Sequence, residues 1–338
     1  MAEPFYATKS EYVDRALIGF ARDNADVVTL HTGPTFVQAL DRDPRRRVGL
    51  VSGGGSGHEP MHVGLVGRGM LDAAAPGRVF ASPHNRQVYE ASRSVAGPDG
   101  VLHIVKNYTG DRINFGIAAE RLRHDGIPVA RVTVDDDVAT ESQLTATGRR
   151  GTGATVVVEK LLGAAADRGA GLDELVALGA VLVPRSRSVA VASMAQTSPV
   201  TGELGFTLEP GQLEYGVGIH GERAQHTIPR PPLEDLVGRM VDDVLRHLPG
   251  GDAAFLFVNG LGGTTMIELY NVFAEAVDAL ATHGVAVRRS LVGPWTPALD
   301  MKGFSITVTM LDDTVEAHPT GGWTALWDAP AWTAALRK

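Results

Sequence analysis

The chain contains no cysteine. That excludes disulfides, thiolate nucleophiles and cysteine-ligated zinc, and it suits the reducing cytoplasm, where the protein is expected to reside. Positive charge is also scarce. The 31 Lys and Arg against 39 Asp and Glu leave a net charge of −8, the opposite of a nucleic-acid footprint. The opening MAEPFYATKSEYVD lacks a basic start followed by an apolar run, so no signal peptide is expected. Long apolar runs are missing too, and the longest, around Leu175 to Val183, is far too short to cross a bilayer. What the chain does have is 338 residues, more than one hydrophobic core usually supports. With 44% apolar and 21% charged residues, two globular domains can each bury a core.

The first half alternates strand and helix patterns. Arg47 to Val51 reads as a buried strand running into SGGGSGHEP, after which Pro60 is expected to open a helix, since its fixed φ suits a first turn. A short strand at Arg78 to Ala81 precedes Ser82-Pro83 and an amphipathic stretch from Asn85 to Val95. Val101 to Val105 leads into KNYTGD, where Asp111 is expected to cap a helix carrying Ile113, Ile117 and Leu122 on its apolar face and stopping at Gly126. Val129 to Val134 ends in three aspartates. Repeated β-α-β implies a mostly parallel sheet with right-handed crossovers. From about Arg185 strands outnumber helices: Ser188–Ala195, Leu213–His220, Ala253–Val258, Val285–Val292 and Ser305–Leu311, with helices at Leu233–Leu248 and Met266–His283. The expected fold class is α/β with two domains, an N-terminal mostly parallel α/β domain over 1–185 and a C-terminal α+β domain over 186–338.

Several segments carry candidate chemistry. His58-Glu59-Pro60-Met61-His62 fits H-E-x-x-H, but that motif needs a continuous helix, and glycines before it and a proline within it break one. No metal site is expected there. The run Gly53 to His58 is neither a Walker A loop, lacking Gly-Lys-Ser/Thr, nor a dinucleotide fingerprint, because His58 fills the third glycine position. Four glycines in five residues (Gly53, Gly54, Gly55 and Gly57, with Ser56 among them) exceed what a turn needs. They point to a nest of backbone N–H groups at a helix N-terminus, open to close approach by a hydroxyl-rich or anionic ligand. Lys106 and Asp111 sit at the end of another strand, and Ser82 at a third. Ligands in open α/β sheets bind outside the carboxyl ends of strands, so these ends converge on one crevice. His220 lies between glycines in GIHGE, which would admit a small substrate to its imidazole, and it is equally well read as structural. Asp135-Asp136-Asp137 could hold magnesium, but strand-end aspartates usually cap turns. His247 and His283, near helix ends, read as structural or surface residues.

In order along nearly the whole chain, SGGGSGHEP at 52–60, FASP at 80–83, IVKNYTGD at 104–111, DDDVA at 135–139, GRRGTGATVVVEKLLGAAA at 148–166, EYGVGIHGE at 214–222, LDMKGFSIT at 299–307 and LWDAP at 326–330 resemble the sugar-binding subunit family of dihydroxyacetone kinase. The resemblance implies that His220 attacks the ketone carbon and holds the triose as a hemiaminal, which suits a neutral imidazole near pH 7. It implies that His58 and Asp111 hydrogen-bond the substrate hydroxyls and that one or both act as base. Gly55, Ser56, Gly57, Ser82 and Lys106 complete the contacts. It further implies no cofactor on this chain, ATP or ADP with magnesium on a separate helical nucleotide-binding subunit, and a homodimer. The donor is either free ATP or a phosphoenolpyruvate relay. Two departures bear on substrate choice: Arg223-Ala224 stands where relatives often have Pro-Gly, and His84 follows FASP at a possible pocket mouth. The four-carbon erythrulose is therefore an alternative substrate, and a non-catalytic ketose-loaded regulator an alternative role.

Overall fold

A computed structural model of the chain describes residues 5–6, 8–140, 148–223 and 226–337. Packing groups them into two units. The first comprises Phe5–Val134, Thr155–Val181 and the chain from His318 onward, and the second comprises Asp135–Ala154 and Leu182–Ala317. A single crossing at 185/186 is what the sequence suggests. The chain instead changes unit repeatedly, for local reasons. The Ser188 N–H donates to the Asp136 carbonyl at 2.8 Å, holding the triple-aspartate segment in the second unit. Lys160 Nζ donates to the carbonyls of Leu326 at 3.0 Å and Ala329 at 2.8 Å, holding the last segment in the first.

The first unit is built on a six-stranded sheet in the order Val28–Thr32, Thr35–Ala39, Ala73–Val79, Gly49–Ser56, Val101–Lys106, Val129–Val134. The last four run parallel, and the first two form an antiparallel hairpin at the edge. Every residue of Gly49–Ser56 and Val101–Lys106 is buried, as expected of parallel strands covered on both faces. Helices Asn85–Val95 and Thr109–His124 make the crossovers. His84 caps the first of these, with Nδ1 accepting from the Arg86 N–H at 3.1 Å and Gln87 closing a capping box. Two expectations fail here. Thr109–His124 buries Phe115, Ala118, Ala119 and Leu122, while Ile113 and Ile117 are 55% and 41% exposed, so its apolar face is rotated from the expected one. Pro60 opens no α-helix either. Only a single 3₁₀ turn, Val63–Leu65, follows. Gly57, Gly64, Gly67 and Gly69 crowd this stretch, and glycine is a poor helix former.

The second unit has a sheet in the order His226–Pro229, Gln212–Tyr215, Ser186–Met194, Lys302–Leu311, Ala253–Gly260, Ala286–Gly293. All pairs are antiparallel except the last, which is joined by the helix Met266–Thr282. That helix and Leu233–Leu245 bury Val237, Met240, Val244, Leu269, Val272 and Ala276 against Val189, Leu256, Ile306 and Val308. This is the α+β arrangement the sequence implies. The strand expected over Leu213–His220 stops at Tyr215, because Gly216 and Gly221 take φ of +85° and +80° and turn the chain away.

Candidate functional site

In the first unit Gly53 to Ser56 lie within the strand Gly49–Ser56 rather than in a loop, and the three glycines among them each sit close against other atoms. A Cβ on Gly53 would fall 2.4 Å from the Ala75 carbonyl oxygen of the neighbouring strand. One on Gly54 would fall 2.2 Å from Lys106 Nζ, and one on Gly55 would fall 2.7 Å from Phe80 Cα. The anion nest at a helix N-terminus that the sequence suggests is not formed. No helix follows, and the Gly57 N–H, at a φ of +106°, donates to Glu59 Oε2 at 2.8 Å. Ser56 Oγ donates to the Gly77 carbonyl at 2.8 Å and so anchors two strands. The missing side chains do let Lys106 and Phe80 close in on the strand backbone.

Two separate contacts involve expected site residues, His58 with Phe80 and Lys106 with Asp111. His58, wholly buried, stacks on Phe80 with ring centroids 5.1 Å apart. Phe80 itself takes a left-handed φ of +54°, a strained conformation for an aromatic residue that tends to accompany functional sites. Lys106 Nζ lies 3.8 Å from Asp111 Oδ2, both buried. The sequence makes Asp111 a helix cap, but the cap position is Tyr108. Asp111 sits in the first turn with its carboxylate turned inward. Its Oδ1, also buried, accepts no hydrogen bond from the described residues. Next to it, a Cβ on Gly110 would meet Ser82 Oγ at 2.5 Å, so Ser82 closes on the start of the same helix. His84, the other residue placed at the pocket mouth, is occupied as a cap.

Behind Lys106 lies a polar chain that the sequence does not reveal. Lys106 Nζ is 2.7 Å from His62 Nε2 and 3.3 Å from the Gly53 carbonyl. His62 Nδ1 is 2.6 Å from Glu159 Oε1 and 2.9 Å from Ser52 Oγ, which donates to the Ile104 carbonyl at 2.8 Å. Burial disfavours every charged form here. It pushes His62 well below its ordinary value, lowers Lys106 and raises Glu159 to about 8. The second histidine of the H-E-x-x-H match thus faces a lysine and a carboxylate. Glu159 falls inside the recognised 148–166 stretch, yet nothing in its apolar surroundings there marks it as functional.

In the second unit, His220 is on the turn after Tyr215, its side chain 18% exposed. Its Nδ1 is 2.9 Å from Glu222 Oε1, and its backbone N–H donates to Glu222 Oε2 at 3.0 Å. Gln196 Nε2 donates to the His220 carbonyl at 2.9 Å. A Cβ on Gly218 would sit 2.1 Å from Glu222 Oε2, so its absence leaves room for that carboxylate. Burial raises the Glu222 carboxyl, but the hydrogen bond and charge of His220, with Arg150 4.0 Å away, outweigh it and hold the group at about 2. A carboxylate at Nδ1 fixes the proton there and puts the ring's lone pair on Nε2, as in histidine–carboxylate pairs generally. Glu222 was within the recognised motif, two residues after the histidine in one tight turn. That spacing is the signal that could have assigned it.

The triple aspartate serves structure. Asp136 accepts from the Thr152 N–H at 2.6 Å, the Ala154 N–H at 3.0 Å and the Ser188 hydroxyl, while Asp137 pairs with Arg150 at 2.6 Å. Arg223 turns toward Glu214 at 3.0 Å and Thr227 at 3.2 Å rather than to His220. Ala224 lies outside the described residues. Among the described residues, no three His, Asp or Glu are grouped to hold a metal, and no helix is long and apolar enough to cross a membrane.

A parallel α/β unit with a buried lysine–aspartate pair at its strand ends, together with an α+β unit bearing a carboxylate-backed histidine, defines a two-unit α/β protein. The Dak1 domain matches residues 18–335, and the chain belongs to that family. It is 40% identical to the dihydroxyacetone-binding subunit of the PEP-dependent dihydroxyacetone kinase of Escherichia coli (strain K12), with 96% of each chain covered. It is 42% identical to the corresponding subunit of a PTS-dependent dihydroxyacetone kinase of Listeria innocua, over 90% of this chain and 92% of the relative. Its fold is similar to that of a dihydroxyacetone kinase operon co-activator (TM-score 0.87, 29% identity, 95% and 97% covered). It is also similar to the dihydroxyacetone kinase of C. freundii (TM-score 0.86, 32% identity), covering 99% of this chain and 60% of that one.

Proposed function

We propose that the chain is the ketose-holding subunit of a dihydroxyacetone kinase and that His220 binds the ketose covalently. The observation that carries the covalent step is the His220–Glu222 pair. With the proton kept on Nδ1, Nε2 attacks the carbonyl carbon, and Glu222 stabilises the charge that develops on the ring. The carbonyl oxygen gains a proton, the ring loses the one on Nδ1, and a neutral hemiaminal results. Capture of this kind selects for a carbonyl, so glycerol is rejected for lack of a bond rather than for its shape.

The phosphoryl step falls to the residues of the first unit. Asp111, with one carboxylate oxygen available as an acceptor, takes the proton of the hydroxyl that attacks phosphorus, and His58 orients that hydroxyl. Lys106 is the electrophilic partner of the developing oxyanion, with Gly55, Ser56, Gly57 and Ser82 keeping the approach narrow. The donor is a nucleotide with magnesium on a separate helical subunit; the dihydroxyacetone kinase of C. freundii, of which this chain covers 59%, has been solved in complex with AMP-PNP and Mg2+. A second copy of the chain completes a homodimer.

A ketose-loaded regulator is the second reading, favoured by the likeness to the operon co-activator. Phosphoryl-transfer assays with a nucleotide-carrying partner subunit, run with dihydroxyacetone, erythrulose and glycerol, test all three points. We expect turnover with the ketoses, fastest with dihydroxyacetone, and none with glycerol. Equal turnover of glycerol would refute carbonyl capture, and no turnover of any substrate would favour the regulator.

A further inference from the structure

We propose that Glu159, His62 and Lys106 form an internal proton relay that charges Lys106 when negative charge develops beside it. The inference rests on the kinase reading for its purpose, though not for its geometry. The three side chains make an unbroken line: Glu159 Oε1 to His62 Nδ1 at 2.6 Å, and His62 Nε2 to Lys106 Nζ at 2.7 Å. All three are buried. They come from the helix Ala154–Asp167, the turn after Gly49–Ser56 and the end of Val101–Lys106. Among the described residues, the other titratable group facing Lys106 is Asp111, 3.8 Å from Nζ, on the helix Thr109–His124.

This line has two arrangements with the same number of protons. In one, the Glu159 carboxylic acid donates to Nδ1 and the ring's Nε2–H donates to a neutral Lys106 amine. In the other, the Glu159 carboxylate accepts from Nδ1–H and the Lys106 ammonium donates to Nε2. Passing from the first to the second breaks Glu159 Oε1–H and forms His62 Nδ1–H. It also breaks His62 Nε2–H and forms the third N–H on Lys106. Net charge stays at zero and no proton is exchanged with solvent.

Burial favours the neutral arrangement at rest, lowering Lys106 against the opposing pull of the Asp111 carboxylate 3.8 Å away, because a separated ion pair out of water costs more desolvation than its attraction returns. The directions of the shifts at Glu159 and Lys106 agree. An oxyanion forming next to Nζ reverses the balance, and the relay delivers an ammonium at that moment, which is when a positive charge helps most. His62 and Glu159 are therefore positioning residues acting through Lys106. With its own proton given to the Ile104 carbonyl, Ser52 Oγ, 2.9 Å from Nδ1, accepts from Nδ1–H in the second arrangement.

Two measurements on the full chain test this. In ketose-free protein labelled with ¹⁵N-lysine, the Nζ signal lost in Lys106→Met should be that of an amine at neutral pH. Infrared spectra should show a carboxylic-acid band that Glu159→Gln removes. An ammonium signal with no such band would overturn the proposal, whether or not the chain phosphorylates a ketose. Conversely, an amine and acid pair in a chain that turns over no ketose would leave the relay standing and sink the kinase reading. In assays with the partner subunit, His62→Gln, which can bridge but cannot pass a proton, should lower kcat about 10- to 100-fold with KM nearly unchanged. Its kcat should also rise as pH falls, since Lys106 must then take its proton from solution, whereas the wild type is flat over the same range. A kcat like the wild type's, or a loss without the new pH limb, would contradict the relay. Glu159→Gln is expected to show the same limb and decides the matter if His62→Gln does not fold.

Discussion

At Glu222, 37% exposed, the hydrogen bond from His220 and nearby Arg150 overcome burial and hold the carboxyl at about 2. At Glu159, fully buried, burial overcomes a Ser52 hydrogen bond and the charge of Lys106, and the carboxyl rises to about 8. Both glutamates touch Nδ1 of a histidine, at 2.9 Å and 2.6 Å. Solvent access decides which partner keeps the proton. An open turn keeps a permanent carboxylate that sharpens a nucleophile. A sealed interior keeps a proton in store for a buried lysine.

Substitutions break this comparison in a graded way. The largest effect is expected for His220→Ala. It removes the nucleophile and should lower kcat/KM at least ~10⁴-fold, on the scale of lost covalent catalysis, measured with dihydroxyacetone and the partner subunit. Asp111→Asn should retain the adduct but lose ~10²- to 10⁴-fold in kcat, read by intact mass beside steady-state rates. Normal turnover in that variant would remove Asp111 from the base role. Glu222→Gln, which can hold the ring but not stabilise its charge, should slow adduct formation about 10- to 100-fold, as for other groups that orient a working histidine.

The smallest effects are in stability, and they have opposite signs. The folded pKa of Glu222 is depressed from 4.5 to about 2. Its contribution is present above pH 4.5 and lost as pH falls toward 2, so Glu222→Gln should be less stable than wild type at neutral pH and draw level in acid. The folded pKa of Glu159 is raised from 4.5 to about 8. Its contribution is present below pH 4.5 and lost as pH rises through 8, so Glu159→Gln should gain on the wild type over that interval. Chemical denaturation at several pH values reads both slopes, and parallel slopes would show that the two carboxyls share one environment.

Much of the fold was legible because it is periodic. Buried runs such as Val101–Val105 and Val129–Val134, separated by helix-length amphipathic segments, declare parallel strands and crossovers. The helix signal at Pro60 fails because Gly57, Gly64, Gly67 and Gly69 crowd the stretch around it. The buried face of Thr109–His124 is made by Phe115, Ala118 and Leu122, packed with Val88, Tyr89 and Val105, which leaves Ile113 and Ile117 exposed. The repeated unit changes were illegible, since they depend on long-range bonds such as Lys160 to Leu326 and Ala329. At the candidate sites, His58, Asp111 and His220 stood out by their glycine neighbours and strand-end positions. Phe80, His62 and Glu159 did not. Their importance lies in which atom they touch across up to 97 residues of sequence, and composition holds no record of that.

Carbonyl capture by His220 is tested most directly by nuclear magnetic resonance of dihydroxyacetone labelled with ¹³C at its carbonyl carbon, bound to the intact chain. The bound label should leave the ketone region for that of a tetrahedral carbon bearing nitrogen and oxygen, and His220→Ala should abolish the new signal. A label that stays in the ketone region when bound, or a tetrahedral signal that survives in His220→Ala, would contradict it.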